Sequence, residues 1–171
     1  STYKHCLRVA MMSVSIGKQM NLPRGQMGDL ALAALLHDIG KRMLPIEIIR
    51  KPGKLTDEEF EQVKKHPTLG YFLLKEQGGY SNEVLNGVLM HQEKYDGSGY
   101  PYGMHGEELP EMVRIISAAD ALDAMNSNRC YRKHCDRDYI IGEFRKGAGK
   151  QFDAGVAQAV VALIEEGRIT V

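Results

Sequence analysis

Apolar residues recur along the chain at helical rather than alternating spacing. Leu7, Met11 and Val14 stand at positions i, i+4 and i+7, a period that puts them on one face of a helix. The same spacing returns in two later segments, formed by Met112, Ile115, Ile116, Ala119 and Leu122 and by Val156, Ala159, Val160 and Leu163. The pattern predicts an all-α fold of about seven helices with little or no sheet.

Residues that interrupt this pattern mark the helix boundaries. Thr56 followed three positions later by Glu59 is a capping-box sequence, which predicts a helix that starts after Thr56 and contains His66. The breaks contain proline or glycine and lie at 21–23, 51–53, 77–79 and 95–110. The last of them predicts a long glycine-rich loop.

Size and composition limit the function. With 171 residues, 43% of them hydrophobic, the chain is long enough to bury one core, so we expect a single domain over residues 1–171. The formal net charge is zero, which argues against a nucleic-acid polymer or an anionic membrane as the ligand. A small anionic ligand, attracted by local charge or by metal, fits this composition better.

The apolar runs and the cysteines indicate the compartment. The longest runs, at 30–36 and 156–164, fall short of the roughly 18 residues needed to span a bilayer, and no signal peptide opens the chain. The three cysteines form no Cys-x-x-Cys pair, which suits free thiols in a reducing compartment. We expect a cytoplasmic protein without membrane contact and, because the chain opens on Ser1 with a helical pattern close behind, a piece of a longer one.

An adjacent histidine and aspartate end one of the apolar runs. His37 and Asp38 follow the run at 30–36 and precede Gly40, so an imidazole and a carboxylate stand where buried polar groups need partners. The residues that could supply those partners are His5, His66, His91, Asp120 and Asp123. Asp120 lies between two alanines in an apolar helix, where a dication would compensate its burial. These residues predict a metal-dependent hydrolase.

The ligand types indicate the metals and the chemistry. Imidazole and carboxylate suit Fe, Mn, Zn, Co or Ni better than Mg or Ca. A carboxylate such as Asp38 can bridge two cations about 3.5–4 Å apart, and a hydroxide shared between them can attack phosphorus. Lys41, one helical turn beyond His37, is placed to neutralise charge that develops on a phosphoryl group.

Several candidates also have an ordinary structural interpretation: Lys41, His66, His91, Asp123, Arg129 and Arg132. The two histidines, taken alone, could be satisfied structural residues. Asp123 could pair with a nearby arginine instead of touching metal or substrate. The basic residues could complement a helix dipole or form a solvated face. His105 and His134 lie in polar stretches and are set aside.

Taken in order, the motifs resemble one known family. They are His37-Asp38 with Gly40-Lys41, His66-Pro67, His91-x-Glu93, Asp96-Gly97-Ser98-Gly99-Tyr100-Pro101, Asp120, Asp123 and Arg129-x-Tyr131-Arg132. Together they resemble the HD-GYP domain, a branch of the HD phosphohydrolase superfamily. The resemblance implies an all-helical output domain of a signalling protein that binds two metal ions. It also implies hydrolysis of the bacterial second messenger cyclic di-GMP to pGpG and often on to GMP.

The resemblance implies a role for each matched residue. The metal ligands would be His5, His37, Asp38, His66, His91 and Asp120, with Asp38 bridging and acting in catalysis together with Lys41. The substrate-binding residues would be Tyr100, Gly99, Pro101, Asp123, Arg129 and Arg132. The metals would be Fe or Mn, with Ni, Zn or Co as alternatives. The partners would be the cyclic dinucleotide, a diguanylate cyclase-type protein at the Gly-Tyr-Pro loop, and a second copy of the chain.

Three positions depart from the family pattern. Gln92 stands where most members have a second histidine, and a neutral amide is a weaker donor to a transition metal than imidazole. Cys130 replaces a common proline, and Ser1 stands where some members place a glutamate that helps hold a third metal. Gln92 supports an alternative function, a binding or signalling module that holds metal, messenger or partner without efficient turnover. A hydrolase of other nucleotides is disfavoured by the Gly-Tyr-Pro loop.

Overall fold

A computed structural model of the chain describes residues 3–127 and 136–171, and over these ranges the predicted all-α fold is confirmed. The helices are α1 (Tyr3–Gln19), α2 (Arg24–Leu36), α3 (Ile46–Ile49), α4 (Asp57–Val63), α5 (His66–Gln77), α6 (Asn82–Met90), α7 (Glu111–Ser127), α8 (Arg137–Gly147) and α9 (Ala154–Glu165), with 3-10 helices at Ile39–Met43 and Gly106–Glu108. Since α3 is a single turn, the eight longer helices slightly exceed the predicted seven. None of the helices in these ranges is long and apolar enough to cross a membrane.

The main core lies where α1, α2, α7 and α9 meet. Val9, Leu30, Ile115 and Val160 each come from a different one of these helices and are fully buried. Burying a side chain of this size contributes about 1.5–3 kcal/mol. The same contact therefore holds together the helices that carry His5, the His-Asp pair and Asp120.

The face of α1 that enters the core is not the one that the spacing of Leu7 and Met11 marks. These two side chains are 50% and 64% exposed, whereas Val9 and Ile16 are fully buried. Apolar residues occur on more than one face of this helix, so the helical period predicts the helix correctly without selecting its buried side. In α2 the apolar run at 30–36 is only partly buried. Leu30 is buried, whereas the residues of the run on the solvent side of the helix are not.

The capping box at Thr56 is confirmed, but the helix that it starts is shorter than predicted. The Thr56 hydroxyl accepts the Glu59 N–H at 3.1 Å, and the Glu59 carboxylate accepts the Thr56 N–H at 2.8 Å. The prediction that His66 lies within this helix is wrong, because α4 ends at Val63 and α5 begins at His66. Pro67 explains the break, since proline lacks an N–H and is tolerated only in the first turn of a helix.

Gly40 allows the first 3-10 helix to contact α5 backbone to backbone. A Cβ atom at this position would lie 1.9 Å from the carbonyl oxygen of His66 and 2.6 Å from the nitrogen of Gly70. Real Cβ atoms do not approach other atoms so closely, so only glycine fits here without a shift of the backbone. The close approach fixes the segment that follows the His-Asp pair against the start of α5.

Candidate metal centre

All six residues predicted as metal ligands converge on one point, although they come from five different elements. They are His5 in α1, His37 and Asp38 directly after α2, His66 at the start of α5, His91 directly after α6, and Asp120 in α7. Their donor atoms form three overlapping groups, and within each group all atoms lie within 4.8 Å of one another. Helix ends and, for Asp120, the middle of α7 thus bring together polar side chains from distant parts of the sequence.

Asp38 lies at the middle of the cluster, and its two oxygens face different imidazoles. Oδ2 is 3.6 Å from Nε2 of His5 and 3.4 Å from Nε2 of His37. Oδ1 is 3.4 Å from Nε2 of His66 and 3.6 Å from Nε2 of His91. A carboxylate with one oxygen directed to each of two nitrogen sets has the geometry of a bridging ligand.

Asp120 joins the first of these two sets. Its Oδ1 atom is 3.0 Å from Nε2 of His5 and 3.5 Å from Nε2 of His37. The carboxylate therefore lies on the side of the cluster that the Oδ2 atom of Asp38 faces. Two imidazoles and two carboxylates surround that side, whereas two imidazoles and one carboxylate surround the other.

Three of the imidazoles are oriented in the same way by the backbone. In each, Nδ1 lies at hydrogen-bonding distance from the carbonyl oxygen three residues earlier, which pairs His37 with Ala34 (2.5 Å), His66 with Val63 (2.7 Å) and His91 with Val88 (2.8 Å). Because a carbonyl can only accept, Nδ1 carries the proton, and in the neutral ring Nε2 is left with a lone pair. This support from the backbone turns all three lone pairs toward the cluster, as in metal-binding histidines.

The surroundings of the Nε2 atoms of His37, His66 and His91 test whether a metal fits. Nε2 of His37 is buried without a hydrogen bond to any described residue. The Nε2 atoms of His66 and His91 face one another at 3.1 Å, and two lone pairs at that distance repel unless a cation or a proton lies beside them. The donors fit divalent transition metals such as Fe or Mn, which accept mixed nitrogen and oxygen ligands. Which metal is bound stays a prediction.

The charges of the cluster also suit a cation. Burial disfavours the ionised form of Asp38, yet His37 and the neighbouring histidines outweigh it and hold the pKa of Asp38 far below its usual range. Burial likewise opposes ionisation of Asp120, and the contacts with His37 and His5 lower the pKa of Asp120 by more. Burial lowers the pKa of His91, because it disfavours the imidazolium. The contact with Asp120 raises the pKa of His5, and despite burial the contacts with Asp120 and Asp38 raise the pKa of His37. In the absence of metal these two imidazoles therefore hold protons beside the ionised carboxylates, and a bound cation would displace those protons.

Asp123 contacts the His5 ring at Nδ1, the nitrogen on the side away from the cluster. Its carboxylate is 1% exposed, and its Oδ2 atom is 2.6 Å from Nδ1 of His5. The Arg8 guanidinium donates to both of its oxygens, at 2.7 and 3.2 Å. Asp123 therefore makes the arginine contact that was one of its two alternatives, and it fixes the ring of His5. The predicted contact of Asp123 with substrate remains untested.

Lys41 lies at the rim of the cluster. Its Nζ atom is 3.3 Å from Oδ2 of Asp38, and its side chain is 26% exposed. The ammonium is therefore held beside the carboxylate while remaining open to solvent. The ion pair with Asp38 is therefore formed, and the catalytic role of Lys41 stays a prediction.

The Gly-Tyr-Pro loop packs directly on the residues that follow His91. A Cβ atom at Gly99 would lie 2.3 Å from the carbonyl oxygen of Gln92 and 2.5 Å from the nitrogen of Lys94. The Tyr100 N–H donates to the carbonyl of Gln92 at 3.2 Å. Gly99 is therefore needed for the approach of two backbones, and Pro101 follows on the exposed side. Whether these residues bind substrate stays a prediction.

The ring of Tyr100 lies close enough to the cluster for the charges of the two carboxylates to shift its pKa. Burial, followed by the negative charges of Asp120 and Asp38, raises the pKa of Tyr100 to about 12. The Lys64 ammonium lies 5.7 Å from the centre of the same ring, within the range of a cation–π contact. The Tyr100 hydroxyl thus keeps its proton and is available as a hydrogen-bond donor beside the candidate metal centre.

Glu93 is a functional candidate that the sequence interpretation missed. It is 1% exposed, and its two oxygens accept the backbone N–H groups of Tyr102 at 2.7 Å and Met104 at 2.9 Å. Such charge-assisted bonds to backbone are among the stronger hydrogen bonds in proteins. Glu93 therefore fastens the Gly-Tyr-Pro loop to the segment that carries His91. The His91-x-Glu93 motif contains this residue but gives no sign of what it binds.

Six residues named in the sequence analysis lie outside the described ranges. They are the predicted substrate-binding residues Arg129 and Arg132, the motif residue Tyr131, the histidine His134 that was set aside, and two departures from the family pattern, Cys130 and Ser1. The roles of the two arginines stay predictions.

Comparison with known proteins agrees with this arrangement. A family model described as HD domain matches residues 2–156. Curated relatives include cyclic di-GMP phosphodiesterases of Pseudomonas aeruginosa and Thermotoga maritima, which are each 36% identical to this chain. The matches cover 95% and 96% of this chain, respectively, but only 39% and 45% of the lengths of those relatives. A solved cyclic GMP-AMP specific phosphodiesterase of Vibrio cholerae shares the fold, with a TM-score of 0.74 and 20% identity over 96% of this chain and 44% of that one. In agreement with the HD-GYP resemblance, the chain belongs to the HD domain family.

Proposed function

We propose that this chain is a metal-dependent phosphodiesterase that hydrolyses cyclic di-GMP to pGpG and on to GMP. The observation that carries the proposal is the position of Asp38 between two pairs of imidazoles, with one carboxylate oxygen facing each pair. Relatives named cyclic di-GMP phosphodiesterases, at 36% identity over nearly all of this chain, support the substrate class. The chain spans less than half the length of those relatives, so we assign the activity to residues 1–171 as one catalytic unit.

In this proposal the six clustered residues would hold two divalent cations. One would be held by His5, His37, Asp38 and Asp120, and the other by Asp38, His66 and His91. Fe and Mn are the favoured metals because the family resemblance implies them, whereas the imidazole and carboxylate donors alone would also suit Zn, Co or Ni. When bound, two such cations supply Lewis-acid polarisation of a phosphoryl oxygen and activation of water.

The reaction consumes one water for each phosphodiester that is cleaved. The water oxygen bonds to phosphorus, the bond between phosphorus and the 3′ oxygen breaks, and that oxygen takes up a proton. Lys41 lies at the rim of the cluster and is partly open to solvent, so its ammonium can approach the phosphoryl oxygens whose charge grows in the transition state. Tyr100, which keeps its proton, can donate a hydrogen bond to the same phosphate.

Gln92 favours a second candidate function, a module that binds metal, cyclic dinucleotide or a partner without efficient turnover. Its side chain lines a cavity beside His91 and Asp120, where the family pattern has a further imidazole. Fewer nitrogen ligands would weaken the binding of the second cation and slow hydrolysis. Binding without hydrolysis after metal loading would support this function over the first.

Two assemblies belong to the proposal. Tyr102 directly follows Pro101 in the Gly-Tyr-Pro loop and is 64% exposed, and this ring is where we expect a diguanylate cyclase-type protein to bind. Loss of that binding in Tyr102→Ala, with hydrolysis unchanged, would support the contact. A homodimer is the second expectation, and sedimentation of the full chain distinguishes it from a monomer.

The proposed activity is tested by loading the protein anaerobically with Fe(II) or Mn(II) and following nucleotides by chromatography while counting bound metal. Cyclic di-GMP, 3′,3′-cyclic GMP-AMP and cyclic di-AMP should be compared, because a fold neighbour is named for cyclic GMP-AMP. We expect pGpG to form first, with about two metals per chain. Intact cyclic di-GMP in a sample with two bound metals would contradict the proposal.

A further inference from the structure

A cavity of about 260 Å³ opens beside the candidate metal centre. Its lining includes His91 and Asp120 of the cluster together with Gln92, Lys94 and Gln151. Since the share of liquid volume of one water molecule is about 30 Å³, the space is large enough for a group of several heavy atoms. Its position next to the cluster means that a ligand with a phosphate at the cluster would place a neighbouring group here.

The polar side chains of this cavity are available to a ligand. The side chains of Gln92, Lys94 and Gln151 make no hydrogen bond and no ion pair with the residues that the structure describes. Ser117, which also lines the cavity, is different, because its hydroxyl already donates to the carbonyl of His91 at 2.7 Å. One cation and two amides therefore remain as the groups that could contact a ligand.

The walls of the cavity are held in place by the backbone. The Tyr95 N–H donates to the carbonyl of Gln151 at 3.1 Å, which joins the segment after α6 to the turn before α9. The lining also includes Ala121 and Ala124 of α7, whose small side chains leave the space open. The backbone of the site is therefore formed in advance of binding, whereas the exposed side chains of Lys94 and Gln151 would be ordered by the ligand.

A second cavity next to the cluster has a different character. It has a volume of about 430 Å³, shares Asp38 with the cluster, and is lined largely by hydrocarbon from Tyr3, Leu7 and Leu35. Arg42 also lines this cavity, so a base there could stack and meet one guanidinium. The first cavity offers more hydrogen-bonding groups to the edge of a base, namely one ammonium and two amides.

We propose that the cavity lined by Gln92, Lys94 and Gln151 is a subsite for one base of the substrate and selects guanine over adenine. The inference rests on the proposed function, because it places the base next to a phosphate at the metal centre. Guanine presents acceptors at O6 and N7, which suit the ammonium of Lys94 and an amide N–H. Adenine presents an amino group in place of O6, so a donor would face the donor of Lys94.

The test compares the binding of GMP and AMP to the full chain loaded with Mn(II), by calorimetric titration. Both ligands carry the same phosphate and ribose, so the ratio of their dissociation constants reports the base alone. We expect GMP to bind about tenfold more tightly, the size of one base-edge contact. Lys94→Met and Gln151→Leu should remove most of this preference. Lys54→Met and Gln77→Leu, at exposed positions outside the cavity, should retain it.

A kinetic comparison separates failure of this inference from failure of the proposed function. In the cavity variants the ratio of kcat/KM for cyclic di-GMP over cyclic di-AMP should fall by about the same factor as the binding ratio. An active enzyme whose ratios are unchanged by Lys94→Met and Gln151→Leu would overturn the subsite. Equal affinity of the unsubstituted protein for GMP and AMP would overturn it as well. A guanine preference that depends on Lys94, in a protein that hydrolyses no cyclic dinucleotide, would support the subsite and reject the phosphodiesterase.

Discussion

Replacing Glu93 by glutamine should destabilise the protein because it disrupts the attachment of the Gly-Tyr-Pro loop. The carboxylate accepts the N–H groups of Tyr102 and Met104 with separate oxygens. Glutamine has nearly the same size, but only one of its two terminal atoms accepts a hydrogen bond. One backbone N–H would then face an N–H of the amide, while the other would keep a weaker, neutral hydrogen bond.

The expected cost follows from these two contacts. Hydrogen bonds to charged groups contribute about 1.5–3 kcal/mol each, and neutral ones about 1 kcal/mol. Losing one bond and weakening the other should lower the free energy of unfolding by about 2–4 kcal/mol. Because the substitution leaves the volume nearly unchanged, a cavity makes no large contribution.

Urea unfolding measures this cost, and amide hydrogen exchange locates it. Tyr102 and Met104 should lose protection in Glu93→Gln, and the KM for cyclic di-GMP should rise because Tyr100 belongs to the same loop. Glu76→Gln, at an exposed position near the end of α5, is the matched control and should change stability by less than about 0.5 kcal/mol. A Glu93→Gln protein as stable as this control, with both amides still protected, would refute the role of Glu93.

Three further predictions concern other parts of the site and the fold. Gly40→Ala should displace His66, which should lower the free energy of unfolding by about 1–3 kcal/mol and reduce the bound metal. The control Gly28→Ala, where a Cβ meets nothing within 4 Å, should change neither quantity, and equal metal content in the two variants would argue against the Gly40 contact. Gln92→His should raise second-metal occupancy at limiting Mn(II), and unchanged occupancy would show that residue 92 is no ligand. Asp153→Asn should remove the ion pair with Arg114 but keep the helix cap, lowering the free energy of unfolding at pH 7 by about 1–2 kcal/mol. Burial opposes the charge of Asp153, yet Arg114 and the Val156 N–H lower its pKa. The stability that the ion pair adds is therefore present above the ordinary aspartate pKa of about 3.9 and is lost as the pH falls below it toward the lowered pKa. A difference in stability between the two proteins that stays constant down to pH 3 would contradict this.

The ligand cluster could be predicted because polar residues in apolar surroundings need partners. His37, Asp38 and Asp120 interrupt or end apolar helical runs, and burying them costs free energy unless another group compensates. That argument names the residues, but not how they are arranged. The division of the Asp38 oxygens between two imidazole pairs depends on the orientation of one side chain, which no local pattern encodes.

The features that the sequence did not predict depend on tertiary contacts. The buried face of α1 depends on which helices pack against it, and apolar residues on several of its faces hide the choice. Glu93 accepts hydrogen bonds from backbone N–H groups. Every residue except proline has such a group, so the sequence gives no signal of which residues Glu93 contacts. The break between α4 and α5 is the exception, since Pro67 was visible and its exclusion from a helix interior is a local rule.

Metal content and hydrolysis in Asp38→Ala, measured together, test the central claim most directly. The unsubstituted protein and the control Asp29→Ala, which lies on α2 away from the cluster ligands, should retain about two Mn(II) per chain after desalting and hydrolyse cyclic di-GMP. Asp38→Ala should remain folded, lose most of the bound metal and lose hydrolysis, because each cation loses a carboxylate ligand. An Asp38→Ala protein with unchanged metal content and an unchanged rate would contradict the two-metal centre.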